Sequence, residues 1–242
     1  MSHNHDCEQE HHNHSHTAPL PTNAKQSLYK SIDVSQVRCL NVVSKGTASS
    51  LNSGFIKSHA EKYNVSKYIE SDADCQMLLL IPFTSSCKLF SIIFRAGNGG
   101  DLGYSCPKHI KIYKNLNKNL DFDTINDLKP DSEFEYPEGL GVHLTSSPDN
   151  AELEVKDDST FVEHFLPRHV FQNCQSIAIF VSDNVSGDED DLTQLCYLEL
   201  RGESTGLIPN NTVPLMAVYE AAANPNDHAK VESETKIFHF GM

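Results

Sequence analysis

The densest set of chemically active side chains lies at the start of the chain. His3, His5, Cys7, His11, His12, His14 and His16 bring six of the thirteen histidines and a thiol into one short tract. Neutral imidazole and thiolate are good ligands for zinc, copper or nickel. The spacing fixes no single tetrahedral geometry, however, and a polar tail has nothing behind the rings to orient them. The tract therefore reads as a solvated low-complexity tail that meets metal incidentally. A purposeful metal-handling tail is the alternative.

Elsewhere the spacing is poor for catalysis. A cupin-type metal centre needs a His-x-His pair with a carboxylate and a third histidine, and no His-x-His occurs outside the tail. His164 and His169 straddle Pro167, where one strand cannot present both to one ion, and His59, His109 and His143 stand alone in or beside expected loops. There is no Gly-x-Ser-x-Gly elbow and no local signature around a cysteine. Ser71-Asp72-Ala73-Asp74 lacks the spacing and glycine of a calcium loop and reads as a solvated turn or partner contact. Gly97–Gly103 is followed by Tyr-Ser-Cys-Pro rather than Lys-Ser/Thr, so it makes a weak phosphate cradle. Gly187–Asp191 reads as a solvated acidic loop. The seven cysteines (7, 39, 75, 87, 106, 174 and 196) include no Cys-x-x-Cys, and buried free thiols packed as small hydrophobes are expected. No catalytic, cofactor-binding or metal-ligating residue is assigned, and no cofactor is expected.

Any such site would need elements to hold it, and those read as strands. Met77–Phe83 is a continuous apolar run, as in a strand covered on both faces, with Pro82 near its end. Lys88–Phe94 follows after a turn-like Thr-Ser-Ser-Cys spacer, predicting an antiparallel hairpin. Ile110–Tyr113 alternates as a half-exposed strand. Ser176–Val181 and Leu195–Arg201 are strong strands joined by the acidic loop, and Leu153–Val155 and Phe161–Phe165 are weaker ones. Leu28–Val34 reads as a short helix or lead-in. Residues 35–58 read as loop with anchors at Leu40 and Phe55, and Arg95–Pro107 and Pro137–Asp158 as long surface loops. Val213–Tyr219 is a further strand-like segment expected to pack on the sandwich.

The expected fold class is all-β, a single jelly-roll β-sandwich. The expected layout is a disordered His-rich tail over residues 1–26, the sandwich over 27–228 and a flexible tail over 229–242. A net charge of −14 repels nucleic acid and anionic membrane, so neither is an expected partner. No apolar run is long enough to span a bilayer, and the first 30 residues have no apolar signal core. An intracellular monomer is expected, and the Asn-x-Ser/Thr sequons at Asn13, Asn64, Asn184 and Asn210 then read as chance.

Tyr68–Phe83 (YIESDADCQMLLLIPF) resembles the opening strand region of the PITH domain, the proteasome-interacting module of thioredoxin-like proteins. Lys88–Ile93, Ile112–Leu116, Leu120–Asp123, Phe171–Val181, Leu198–Glu203 and Tyr219–His228 follow in the same order as in that family. With the His-rich start, they are similar to its stand-alone members, over roughly residues 28–228. The resemblance implies a galactose-binding-domain-like jelly roll, association with the regulatory particle of the 26S proteasome, and a cytoplasmic and nuclear location. It carries over no catalytic residue, and without a Cys-x-x-Cys the redox role of the thioredoxin-fused members does not transfer. Asp72, Asp74, Arg201, Glu203 and Asn224–His228 lie in matched segments, with Arg201 and Glu203 expected as a structural ion pair. A small-ligand or carbohydrate-binding sandwich is a further alternative, disfavoured by the absence of tryptophan.

Overall fold

Along the chain the strands are β1 (Arg38–Leu40), β2 (Val42–Gly46), β3 (Lys67–Ser71), β4 (Met77–Asn98), β5 (Tyr104–Ser105), β6 (His109–Lys114), β7 (Ser132–Glu135), β8 (Val142–His143), β9 (Val162–Phe165), β10 (Cys174–Val181) and β11 (Leu192–Ser204). Two short helices, α1 (Leu51–Phe55) and α2 (Phe122–Asp127), complete them. This computed structural model describes residues 26–116, 120–143, 153–188 and 190–207. The chain divides into two units, Met1–Pro209 and Asn210–Met242, and every described residue belongs to the first. The His tract, Cys7, Asn13, Val213–Tyr219, Asn224–His228 and the C-terminal tail lie outside the described residues.

The all-β sandwich expected from the sequence is what forms, but the predicted hairpin is not part of it. Met77–Phe83 and Lys88–Phe94 belong to one strand of 22 residues that passes from one sheet into the other. The first half of β4 pairs with β1 and β10, and β10 continues to β6 and β7. The second half pairs with β9 and β11, and β11 continues to β3 and β2. Thr84–Cys87 is no turn. Cys87 faces Cys174 on one side and Ser204 on the other, so outside strands take the bonds a hairpin would have used. Pro82 sits inside the strand, where its carbonyl accepts from the Asp33 N–H at 2.9 Å.

Alternation along β4 builds the core. Met77, Leu79 and Ile81 of one sheet meet Ile92, Phe94 and Ala96 of the other in a shared apolar cluster with Ile110, Ile112, Ile177, Ile179, Leu198 and Leu200. Phe134 bridges the sheets, lying 5.7 Å from Phe94 and stacked 3.9 Å from the His164 ring. Leu78 and Phe180 point to the outer face of the first sheet, where α2 covers them with Ile125. Asp121 caps that helix by accepting from the Thr124 N–H at 2.7 Å.

Residues 35–58 hold β1, β2 and α1 rather than loop. β1 and β2 bury little of their side chains, which removes the apolar alternation that would have revealed them. Asn41 turns the chain between them at φ 54°, and Ser50 caps α1 in a capping box. Much of Arg95–Pro107 is strand, because Arg95–Asn98 end β4 and Tyr104–Ser105 form β5. Pro137–Asp158 contains β8, with 144–152 outside the described residues. Leu153–Val155 makes a single bridge, Asn64↔Glu154, in place of a strand.

Candidate interaction site

The alternation that buries Leu198 and Leu200 turns Tyr197, Glu199 and Arg201 of β11 to the outer face of the second sheet. They meet Ser91 of β4, Glu163 of β9 and His59 there. Arg201 is 1% exposed and Glu199 4%, so this is a buried ionic cluster. Arg201 Nη1 lies 3.5 Å from Glu163 Oε1, and Nε lies 3.5 Å from Glu199 Oε1. Ser91 donates to Glu163 at 2.6 Å and Tyr197 to Glu199 at 2.9 Å. The expected Arg201–Glu203 pair does not form: Glu203 is exposed and opposite Lys88. Residues two apart on a regular strand share a face, but the register shift between Arg201 and Gly202 breaks that alternation, and Glu163 and Glu199 take the guanidinium instead.

His59 Nδ1 is 4.0 Å from Glu199, and the Ser91 hydroxyl is committed to Glu163. Serine and imidazole are thus tied to different carboxylates, an arrangement that anchors segments rather than activating a nucleophile.

Neighbouring cations do similar work. The Lys57 ammonium donates to the carbonyls of Asn64 at 2.7 Å, Lys67 at 2.5 Å and Cys196 at 2.6 Å. Burial lowers its pKa to about 8. Three acceptors need three donors, which only the charged amine supplies. Arg95, fully buried, donates to Thr160 Oγ1 at 2.8 Å and to the carbonyls of Lys62 and Val155 at 3.2 and 2.6 Å. Its guanidinium lies 4.7 Å from the Phe161 ring.

The remaining candidates are dispersed. His109 begins β6, where Nδ1 is 2.6 Å from Asp183 and Nε2 is 2.9 Å from Glu135. The Asp183 hydrogen bond, assisted by Glu135 against some desolvation, raises its pKa. That role was hidden in the sequence because Asp183 and Glu135 come from distant segments. Asp74 closes the 72–76 turn by accepting from Asn41 at 2.7 Å. Gly97 lies against Gln194, where a Cβ would be 1.7 Å from Oε1, so it serves packing. His164 is buried, whereas His169 and His143 are exposed. Asn64 and Asn184 are 6% and 1% exposed and hydrogen-bonded within turns, which leaves neither sequon amide accessible. Cys75, Cys87, Cys106, Cys174 and Cys196 are buried and Cys39 partly so, and none of the six is joined in a disulfide. Among the described residues no three His, Cys, Asp or Glu side chains are placed to hold a metal.

One feature of this face points outward. Phe165, opposite Ser91 at the end of β9, is 62% exposed. Three residues further on, Arg168 is exposed, with its guanidinium 4.6 Å from the Phe90 ring. The sequence offers Phe161–Phe165 as a weaker strand without showing which phenylalanine is outside.

Fold and site together define an all-β sandwich module whose charged side chains clamp its segments and whose outer ledge offers an aromatic and a cation. The chain belongs to the PITH-domain family, whose model matches residues 18–223. It is 33% identical over 213 residues to human PITH domain-containing protein 1, covering 88% of this chain and 85% of that protein. The zebrafish (Danio rerio) protein of the same name is 32% identical over 219 residues, covering 90% and 87%. Thioredoxin-like protein 1 of Schizosaccharomyces pombe is 30% identical, covering 78% of this chain and 56% of that protein. Among solved structures, a CBM32 module from a Clostridium perfringens family 31 glycoside hydrolase aligns with a TM-score of 0.42 and 11% identity, covering 76% of this chain and 100% of that one. The CBM32 modules of C. perfringens ZmpB, solved with GalNAc, align at 0.43 and 13%, covering 73% and 35%.

Proposed function

We propose that this protein is a non-catalytic protein-binding module that associates with the regulatory particle of the 26S proteasome as an adaptor or regulator, in the cytoplasm and nucleus. The observation that supports the reading is the family match across residues 18–223. The geometry agrees with it: the charged groups of the second sheet are engaged in holding the scaffold, and the Phe165–Arg168 ledge is free for contact. Aromatic residues, phenylalanine among them, and arginine are enriched at protein interfaces relative to the rest of the surface.

The test is retention of purified proteasome regulatory particle on the immobilised full-length protein at physiological salt. Wild type is expected to retain it, and Phe165→Ala to weaken retention by about 2 kcal/mol, roughly thirtyfold. No retention by folded wild-type protein would overturn the reading. Unchanged retention by Phe165→Ala would move the contact to another surface.

A further inference from the structure

Cys87 and Cys174 are far apart in sequence, yet they are direct partners across the β4–β10 ladder. Both side chains are fully buried in the same core cluster and both are free thiols. Residues directly opposite in an antiparallel ladder have Cα atoms about 4.5–5.5 Å apart and side chains on one face. That spacing falls within the range a disulfide spans, about 4.4–6.8 Å. None of the other four described thiols shares such a register: Cys39 faces Leu79, for example, and Cys75 and Cys106 lie outside the strands. Cys87 itself donates only a weak bond, to the Ser85 carbonyl at 3.3 Å.

We infer that Cys87 and Cys174 form a redox site, a cross-strand disulfide that staples β4 to β10 where β4 passes from one sheet to the other. The location gives the bond its consequence. Between Ser176↔Pro82 and Cys174↔Cys87 the register shifts, so Phe83–Ser86 have no partner in β10 and the cysteine pair is the isolated rung beyond the gap. An isolated rung opens more readily than the continuous ladder from Ser176 to Val181. In the closed state burial pushes the Cys87 thiol up to about 11 and the Cys174 thiol up to about 12, which keeps both unreactive until the rung opens.

The oxidant is a small-molecule disulfide such as oxidised glutathione. One cysteine, deprotonated in the open rung, attacks a glutathione sulfur; the glutathione S–S bond breaks and one glutathione thiolate leaves. The second cysteine then attacks the protein-bound sulfur and expels the other thiolate. Two protein thiols become one disulfide, one glutathione disulfide becomes two glutathione molecules, and the two protons pass to the leaving thiolates.

The experiment holds the full-length protein in an oxidising glutathione buffer in two arms, one folded throughout and one unfolded in urea and refolded in the same buffer. Peptides are mapped without reduction. A Cys87–Cys174 linked peptide in either arm, absent from Cys174→Ser, is the expected result; its appearance on refolding alone would place the barrier in access to the rung. The oxidised wild type should also melt higher than after treatment with dithiothreitol, with no such shift in Cys174→Ser. Absence of the link from both arms, or dominance of another pairing of the described cysteines, would overturn the inference.

Discussion

Arg201 stands between two carboxylates in a space that water does not reach, with its Nη2 and the Glu199 Oε1 left without hydrogen-bond partners. Such a cluster is costly to assemble and more costly to break, because removing one charge strands the others. Arg201→Ala leaves Glu163 and Glu199 buried without their cation. It should lower stability by about 3–5 kcal/mol, the usual penalty for breaking a buried pair, read as a reduced urea midpoint with unchanged slope. His109 makes a pH-dependent contribution. Its pKa is raised in the folded protein by Asp183 and Glu135, so the folded state holds the proton more tightly than the unfolded chain. The resulting stability is fully present below the ordinary histidine value of about 6.5 and is lost as pH rises through the higher folded value. Urea midpoints measured from pH 5 upward should show that decline in wild type and lose it in His109→Gln.

At the level of elements, the second sheet depends on a close approach between β4 and β11. Gly202 lies at a register shift in β11, and a Cβ there would sit 2.0 Å from the Lys88 carbonyl oxygen. That nearest obstacle is backbone of the paired strand and cannot swing aside as a side chain could, so the strands must part. Gly202→Ala should destabilise the fold by about 1–3 kcal/mol, the cost of overpacking, with a lower thermal midpoint. The same bulge changes which β4 residues face outward, and so helps to place Phe90 beside Arg168 on the ledge. A single glycine thus ties the integrity of β11 to the geometry of the proposed contact.

At the scale of the described unit, one strand serves both sheets. Eleven strands form one continuous hydrogen-bonded network because β4 contributes to each half. Neither sheet can be lost while the other stays intact, since unfolding either removes partners from β4. The described unit should therefore unfold in one cooperative step. Far-ultraviolet circular dichroism and tyrosine fluorescence during a urea titration should trace coincident transitions. Two separated transitions would show that the sheets are energetically independent.

The sequence by itself determined the class of fold and the family. Alternation in Ile110–Tyr113 and the apolar runs at Met77–Phe83, Ser176–Val181 and Leu195–Arg201 are local signals of burial, and local signals survive in a linear text. The ordered motifs were legible for the same reason. Tertiary structure decided what those strands pair with and which charges meet. Met77–Phe83 and Lys88–Phe94 looked like a hairpin because a polar spacer resembles a turn, and only the neighbours available to each half made them one strand. Arg201 finds Glu163 and Glu199 rather than Glu203, His109 finds Asp183 and Glu135, and Cys87 faces Cys174. In the first two groups and in the thiol pair, the decisive partner comes from a distant segment brought alongside by sheet register. Register is a property of paired backbones, set by bulges and by the burial of opposite faces, and no window of the sequence contains it.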